Sequence, residues 1–324
     1  TLFRSGSYAI LACGIACLKT YRPLEFWTGA LNNNQSMYHP RVYVEQAKRQ
    51  GIRFCRPDVN RSGELFTIDD LPPEGPGPAV RLGLGCVAGL GPAGIDAILD
   101  ARRDGPFESL ADFVARAPVG GEPTRALIRC GAFDNLGKTR PAAMIELNLL
   151  LATRPHVPSG QAALFRPSPT CPAPPGDYPP LRKYMEERRV LGVSVGEHIM
   201  AMWRRHSGRA ACSPAGEHLP EVDSRTLADH VGKRVRIAGV LEAQRTTGTA
   251  AGGDMLFLTF DDEHGLFEAT VFPPKPGGRT APLQHYGPHR MIGQVQEQYG
   301  TVTVTAESVT VGGTAGLPSR ETTR

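Results

Sequence analysis

An α+β chain of several domains, with helices first and a small antiparallel β-barrel last, is what the sequence predicts, on three observations. Apolar residues recur at helical spacing from the N-terminus to about residue 200. From Val231 the pattern changes to period two, in short segments punctuated by glycine. Two stretches can build neither pattern: "LPPEGPGP" at 71–78 and a proline-rich run over 151–180.

At 324 residues the chain has room for two or three domains. Its 37 glycines and 29 prolines agree with several linkers and turns. A formal charge of +4 is compatible with nucleic acid without arguing for it. No apolar run reaches the roughly 20 residues that span a membrane, and no basic lead-in with a cleavage pattern marks a signal peptide. Cys13, Cys17, Cys55, Cys86, Cys130, Cys171 and Cys212 are scattered, odd in number and without a C-x-x-C pair. That is the pattern of free thiols in a cytoplasmic protein rather than of a zinc ribbon or a disulfide scaffold. Cys13 and Cys17 would share a helix face, but no histidine close by completes a site, so no metal and no cofactor is expected in this chain. The chain enters an apolar helical pattern directly from Thr1, without a methionine, and so reads as a piece of something longer.

Residues 1–70 are expected to be helical, stopped at Pro23, resumed through Leu24–Leu31, and repeated in "RVYVEQAKRQGI" with Gly51 as its stop. "FCRPDVNRS" reads as an extended exit, and 71–80 as a linker. Over 81–150, "VAGLGPAGIDAILDAR" sets a Gly-Leu-Gly turn before a helix whose Ile95, Ile98 and Leu99 form one apolar stripe. This is the pattern of a helix-hairpin-helix unit, in which small residues let the backbone approach a phosphate and a helix N-terminus points N–H groups at it. A second unit is expected at 124–137, turning at Gly131. The candidate duplex-DNA contacts are therefore Gly89, Leu90, Gly91, Arg102, Arg103, Arg125, Arg129 and Gly131. Packed helical hairpins without a ligand are the alternative.

Residues 151–180 form a proline-rich linker with an unusual insert, "QAALF". Gln161, Leu164 and Phe165 suit either an extended peptide docking in a partner's pocket or an anchor onto this chain's own surface. A helical connector is expected over 181–225, where His198 reads as a structural hydrogen-bonding residue. Over 226–312, short strands with glycine breaks suggest an OB-fold, a barrel that stacks single-stranded bases on aromatics beside basic side chains. Arg234, Arg236, Arg245, Phe257 and Phe272 are the candidates there, although residues 232–312 balance seven basic against eight acidic side chains. Residues 313–324 read as a disordered tail.

The order of these parts resembles the C-terminal third of the bacterial DNA polymerase III alpha subunits, replicative or error-prone. The likeness runs through "YAILACGIACLKTYRPLEFWTGALNNN", "YVEQAKRQGIRFCRPDVNRS", "GLGPAGIDAILDARRDGPFESLADF", "RRVLGVSVGEH" and "MLFLTFDDEHG". It implies that 1–70 is the end of a fingers-like region, and that the chain serves DNA replication or error-prone repair synthesis. It also implies duplex and single-stranded DNA, the sliding clamp through Gln161, Leu164 and Phe165, and other replisome subunits as partners, with no membrane. Departures stand at Cys13-Gly14-Ile15, Cys17 and Ile199. DNA ligases also combine these modules, but with the barrel ahead of the hairpins.

The resemblance places the family's magnesium-binding carboxylates in a palm domain ahead of residue 1. Asp69-Asp70 and Asp261-Asp262 read as solvated turn residues, so no catalytic residue is expected here. A free-standing, non-catalytic adaptor between DNA and the clamp is the second reading.

Overall fold

Proline sets the start of the second and third helices. After α1 (Leu2–Tyr21), Pro23 opens α2 (Pro23–Asn32) and Pro40 opens α3 (Pro40–Arg49), each in the first turn, where a helix has no use for the missing N–H. His39 caps α3 by accepting the Arg41 N–H on Nδ1 at 3.3 Å. The helix stops at Gly51, whose φ of +83° a side-chain-bearing residue rarely adopts. The computed structural model describes residues 2–33, 39–153, 176–207, 219–248, 253–273, 282–283, 287–298 and 300–311, in two units, 1–196 and 197–324.

Three short strands follow in the first unit: β1 (Phe54–Cys55), β2 (Thr67–Asp69) and β3 (Ala79–Arg81). β3 lies in the middle, parallel to β1 and antiparallel to β2. The expected linker at 71–80 is bound into this sheet. Arg81, only 1% exposed, pairs with Asp69 at 2.7 Å and with Glu74 at 2.9 Å. Arg53 donates to the carbonyls of Pro76 and Gly75.

Between β1 and β2 lies the turn Pro57-Asp58-Val59-Asn60. The buried Asp58 carboxylate accepts the Asn60 N–H at 2.7 Å and the Asn135 amide at 2.6 Å. The Asn60 amide donates to Phe107 O at 2.9 Å and accepts Phe107 N–H at 2.7 Å, and Val59 N–H reaches Ala132 O. One four-residue turn thus holds two later segments, at Phe107 and at 132–135.

The helices it organises are α4 (Pro92–Arg103), α5 (Leu110–Arg116), α6 (Gly121–Cys130), α7 (Arg140–Ala152) and α8 (Pro180–Leu191). Ile95 and Ile98 of the predicted stripe are buried, joined by Phe107, Phe113 and Phe133, whose rings meet edge to face at 5.0 Å. A buried ion cluster ties α7 to α8: Arg140 and Glu187, each with a side chain 1% exposed, lie 3.1 Å apart. Asp134 and Arg56 complete it. Burying these charges is tolerable because each meets an opposite charge.

The expected connector over 181–225 divides between the units: α8 packs in the first, whereas α9 (Ile199–Ser207) belongs to the second. There β4 (Glu221–Val222), β5 (Arg234–Gly248), β6 (Asp254–Asp261), β7 (Leu266–Val271), β8 (Pro288–Gln298) and β9 (Thr301–Val311) follow. β5, β6, β7, β9 and β8 pair in that order and β8 returns to β5, closing a five-stranded barrel with the OB-fold topology. β4 extends the sheet beside β5.

Phe260 and Phe267 stack in the barrel core with centroids 5.5 Å apart. Gly239 is needed beside them, since a β-carbon there would lie 2.9 Å from Phe267. His198 donates from Nε2 toward the buried Asp261 at 3.3 Å while Nδ1 accepts the Met200 N–H, the structural role its isolation suggested. The linker insert and the expected tail lie outside the described residues.

Replacing Asn60 with alanine strands both backbone groups of the buried Phe107. Urea unfolding of the full chain is expected to show the first unit losing ~2–4 kcal/mol. Asn60→Asp, which keeps only an acceptor, is expected to fall between the two.

Candidate nucleic-acid interface

The first turn is built as the Gly-Leu-Gly pattern requires. A short 3-10 turn over Leu84–Cys86, rather than a full helix, leads into it. Gly89 takes a φ of +82°, which reverses the chain; Leu90 drops into the core, and Gly91 caps α4. Gly94 makes room for that anchor, because a β-carbon there would sit 2.8 Å from Leu90 Cδ1. Gly91 differs from both. Its φ of −75° suits any residue, and a β-carbon there would meet nothing within 4 Å. Glycine is a favoured N-cap, so the start of α4 itself suits Gly91, and the bare, exposed backbone there also leaves the helix N-terminus open to a ligand. Ala88, Gly89, Gly91, Pro92 and Ala93 are all exposed.

The second hairpin turns elsewhere than expected. Gly131, read as its turn, is buried at the end of α6 with a φ of +86°, and a β-carbon there would lie 2.3 Å from the Arg140 guanidinium. It is a helix stop under an internal cation, closed to a phosphate. The turn joins α5 to α6 at residues 117–121: Val119 is buried as Leu90 is, and Gly120 caps α6 as Gly91 caps α4. Its sequence signal, an apolar residue before Gly120-Gly121, was there to be read.

The predicted arginines divide by what they touch. Arg102 turns inward, donating to the carbonyls of Ser62 at 2.9 Å and Val59 at 3.3 Å. Arg103 is well exposed and beside Asp100, but at ~1.5 Å rise per residue it stands at the far end of α4 from the turn. Arg125 is shared by Glu122 and Asn148, and Arg129 faces Glu186 at 3.8 Å. Nothing in the sequence marked a further neighbour. Ala88 N–H donates to Val190 O at 2.9 Å, which sets the end of α8, with Arg188 and Arg189 just before Val190, beside the first turn. About a hundred residues separate them, so no local pattern carried that signal.

On the barrel, Arg245 of β5 lies opposite Phe257 of β6, which lies opposite Thr270 of β7. Met255, alternate with Phe257 along β6, shares that outer face, and Phe272 follows directly on the end of β7, two residues from Thr270. Phe257 is 42% and Phe272 52% exposed, so three of the five single-strand candidates stand together on open surface. Arg234 and Arg236 lie further along β5, where it pairs with β8, and Arg234 grips Glu307 with two bonds.

Asp69, Asp261 and Asp262, from the aspartate pairs singled out in the sequence, are committed to other partners. The neighbouring guanidiniums, Arg61 first and then Arg81, outweigh burial and hold Asp69 down at about 2. Asp261 faces His198; Asp262 accepts N–H groups from Ser224, His264 and Gly265. Among the described residues no group of three metal-ligating side chains converges, and no helix is long and apolar enough to cross a membrane.

The helix-hairpin-helix motif family matches residues 51–143. Over about 90% of its length the chain is homologous to DNA polymerase III alpha subunits and error-prone DNA polymerases. It is 29% identical to the error-prone DNA polymerase of Symbiobacterium thermophilum, over 93% of this chain and 31% of that protein. It is 30% identical to the DNA polymerase III subunit alpha of Thermus aquaticus, over 90% of this chain and 24% of that one. The Bacillus subtilis subunit is 29% identical, with 82% of this chain and 23% of its own length matched. The chain thus spans a quarter to a third of these relatives. Among solved structures, the second OB-fold domain of replication protein A from Methanococcus maripaludis aligns over 28% of this chain and 94% of its own, at 10% identity and a TM-score of 0.22. The strand order itself carries the barrel assignment.

Gly89, in the turn, and Gly131, at the helix stop, are expected to separate on substitution. Gly89→Ala meets only an unfavourable φ and should cost about 1–2 kcal/mol. Gly131→Ala must also displace the buried Arg140, for roughly 3–5 kcal/mol. Thermal unfolding of the two variants beside the parent chain measures the difference.

Proposed function

We propose, from the premise of that homology, that this chain is the DNA-holding and clamp-binding C-terminal part of a bacterial DNA polymerase III alpha subunit, replicative or error-prone, working in the cytoplasm. The observation that carries the reading is Gly91. This glycine N-cap stands exposed, with nothing within 4 Å of where a β-carbon would be, in the first of two hairpins of like build. Backbone N–H groups there would hold phosphates without reading bases, and the outer barrel face with Arg245, Phe257 and Phe272 would stack single-stranded bases. The whole enzyme would hold magnesium on carboxylates that this chain does not contribute. The non-catalytic adaptor remains the second reading, favoured by no particular observation.

The test is binding to duplex DNA of unrelated sequence. Weak, sequence-independent affinity is expected, falling steeply with salt. Gly91→Ser, which keeps a good N-cap, is expected to leave thermal stability nearly unchanged and to weaken binding several-fold, as the added side chain crowds a phosphate at the helix N-terminus. Unaltered binding by this variant would leave the hairpin a packing role. The same preparation, given primer-template, nucleotides and magnesium or manganese, is expected to extend nothing.

The clamp reading rests on "QAALF". Glutamine would enter a polar subsite, and Leu164 with Phe165 an apolar one, contributing together about 3–5 kcal/mol before the ordering of the peptide is subtracted. Titrating sliding clamp against the chain is expected to give micromolar affinity, lost in a Gln161, Leu164, Phe165 triple-alanine variant. A variant that melts earlier without clamp present would assign the stretch to intramolecular packing.

A further inference from the structure

α1 stands open where a helix of its composition should be covered. Every residue from Gly6 to Leu18 is exposed, and the end of the helix is tied to α2, where Lys19 lies over the Trp27 ring at 5.4 Å. Tyr8, Ile10, Leu11, Ile15, Leu18 and Tyr21 are 43–79% exposed. Little within the helix accounts for its stability. It carries Gly6 and Gly14, has no acidic residue in its first turn, and has no charged side chain over Gly6–Leu18 from which to make ion pairs. A helix of this kind is held by what packs on it. We propose that the open face is covered by α1 of a second copy, so that the chain forms a symmetric dimer through an antiparallel helix pair. The proposal stands apart from the DNA reading, since it uses no residue of the hairpins or the barrel.

The area is that of an interface. A whole aromatic side chain presents about 150–250 Å², so at these exposures the six together leave on the order of 800 Å² open. The largest apolar patch of an ordinary monomer is roughly 300–600 Å². One partner of a stable complex contributes about 800 Å². The absence of charge over Gly6–Leu18 bears on which partner fits. A face without charges carries no electrostatic address for a different protein, whereas two identical apolar faces suit each other.

The spacing gives the pairing. Tyr8, Leu11, Ile15 and Leu18 follow one another at intervals of three, four and three, the seam of a two-helix supercoil. That pattern is symmetric about position 13. Two copies laid antiparallel about a twofold axis there set Tyr8 against Leu18 and Leu11 against Ile15, each pair occurring twice, as a self-complementary interface requires. The antiparallel arrangement also opposes the two helix dipoles and keeps Lys19 and Arg22 of one copy away from those of the other. At 100° per residue Cys13 and Cys17 fall on the side of α1 away from the seam, so no disulfide is needed to hold the pair.

Sedimentation of the full chain over a range of concentrations tests this, with a thiol reductant present throughout. The parent is expected to be a dimer with a dissociation constant in the micromolar range. Leu11→Glu and Ile15→Glu place charge at the centre of the seam and are each expected to raise that constant by about a hundredfold. Both positions are exposed in the single chain, so the thermal unfolding of the rest is expected to stay as in the parent. Ala9→Glu puts the same charge on the far side of α1 and is expected to sediment as the parent does. A parent that stays monomeric throughout the micromolar range overturns the proposal and leaves the face to a different partner. Association that Leu11→Glu and Ile15→Glu leave intact, or that Ala9→Glu abolishes, overturns it as well, because clumping would then replace a defined seam.

Discussion

The first unit depends on one constraint: the buried turn Asp58–Asn60 must satisfy its own polar groups, and it does so with groups from far along the chain. Asp58 reaches Asn135, Asn60 encloses the backbone of Phe107, and Val59 meets Ala132. Arg102 adds the Ser62 and Val59 carbonyls from the end of α4. None of these groups can be left unpaired cheaply in a site that excludes water. The turn therefore fixes the C-terminal end of α4, the entry to α5 and the exit from α6 together. The exposed hairpin at the other end of α4 inherits that rigidity. A loop that only presents N–H groups can hold a phosphate well if it loses little freedom on binding.

The glycines of this region show how one residue type serves different physical needs. Gly89 answers a dihedral angle, Gly94 a neighbouring leucine and Gly131 a buried arginine. Gly91 answers a fourth, the N-cap of α4, and does so without covering the N–H groups behind it. The barrel repeats the second case, where Gly239 admits an aromatic ring and Gly293 lets β8 approach β9.

The fold was legible wherever a short pattern decides a local conformation. Period changes marked the helical part and the barrel, and the Gly-Leu-Gly turn with Ile95 and Ile98 stands as read. The second turn was misplaced because a glycine ending a helix and a glycine opening a hairpin look alike; only the Arg140 guanidinium above Gly131 distinguishes them. The arginines were harder. Arg102 was read as a surface cation from its place in the chain, but the carbonyls it satisfies lie about forty residues earlier. Likewise the approach of α8 to the hairpin is a backbone bond between Ala88 and Val190 that no periodicity encodes. On the barrel, strand alternation brought Arg245, Phe257 and Phe272 to one face, and the same alternation would have added Met255.

The closing of β8 onto β5 has a bearing on the life of the unfolded and partly folded chain. A long, alternating, β-branched strand such as β9 is the kind that recruits copies of itself when a ladder is left open. In the barrel every one of the five has neighbours on both sides. The only open ladders among the described residues of the other unit belong to strands of two and three residues, with Asp69 ending β2 and Asp70 and then two prolines following it. Length, charge and proline at those edges discourage strand addition. The risk of self-association by strand addition is thereby confined to the interval before the barrel closes, and a chain that folds its last strands slowly would need protection during that interval alone.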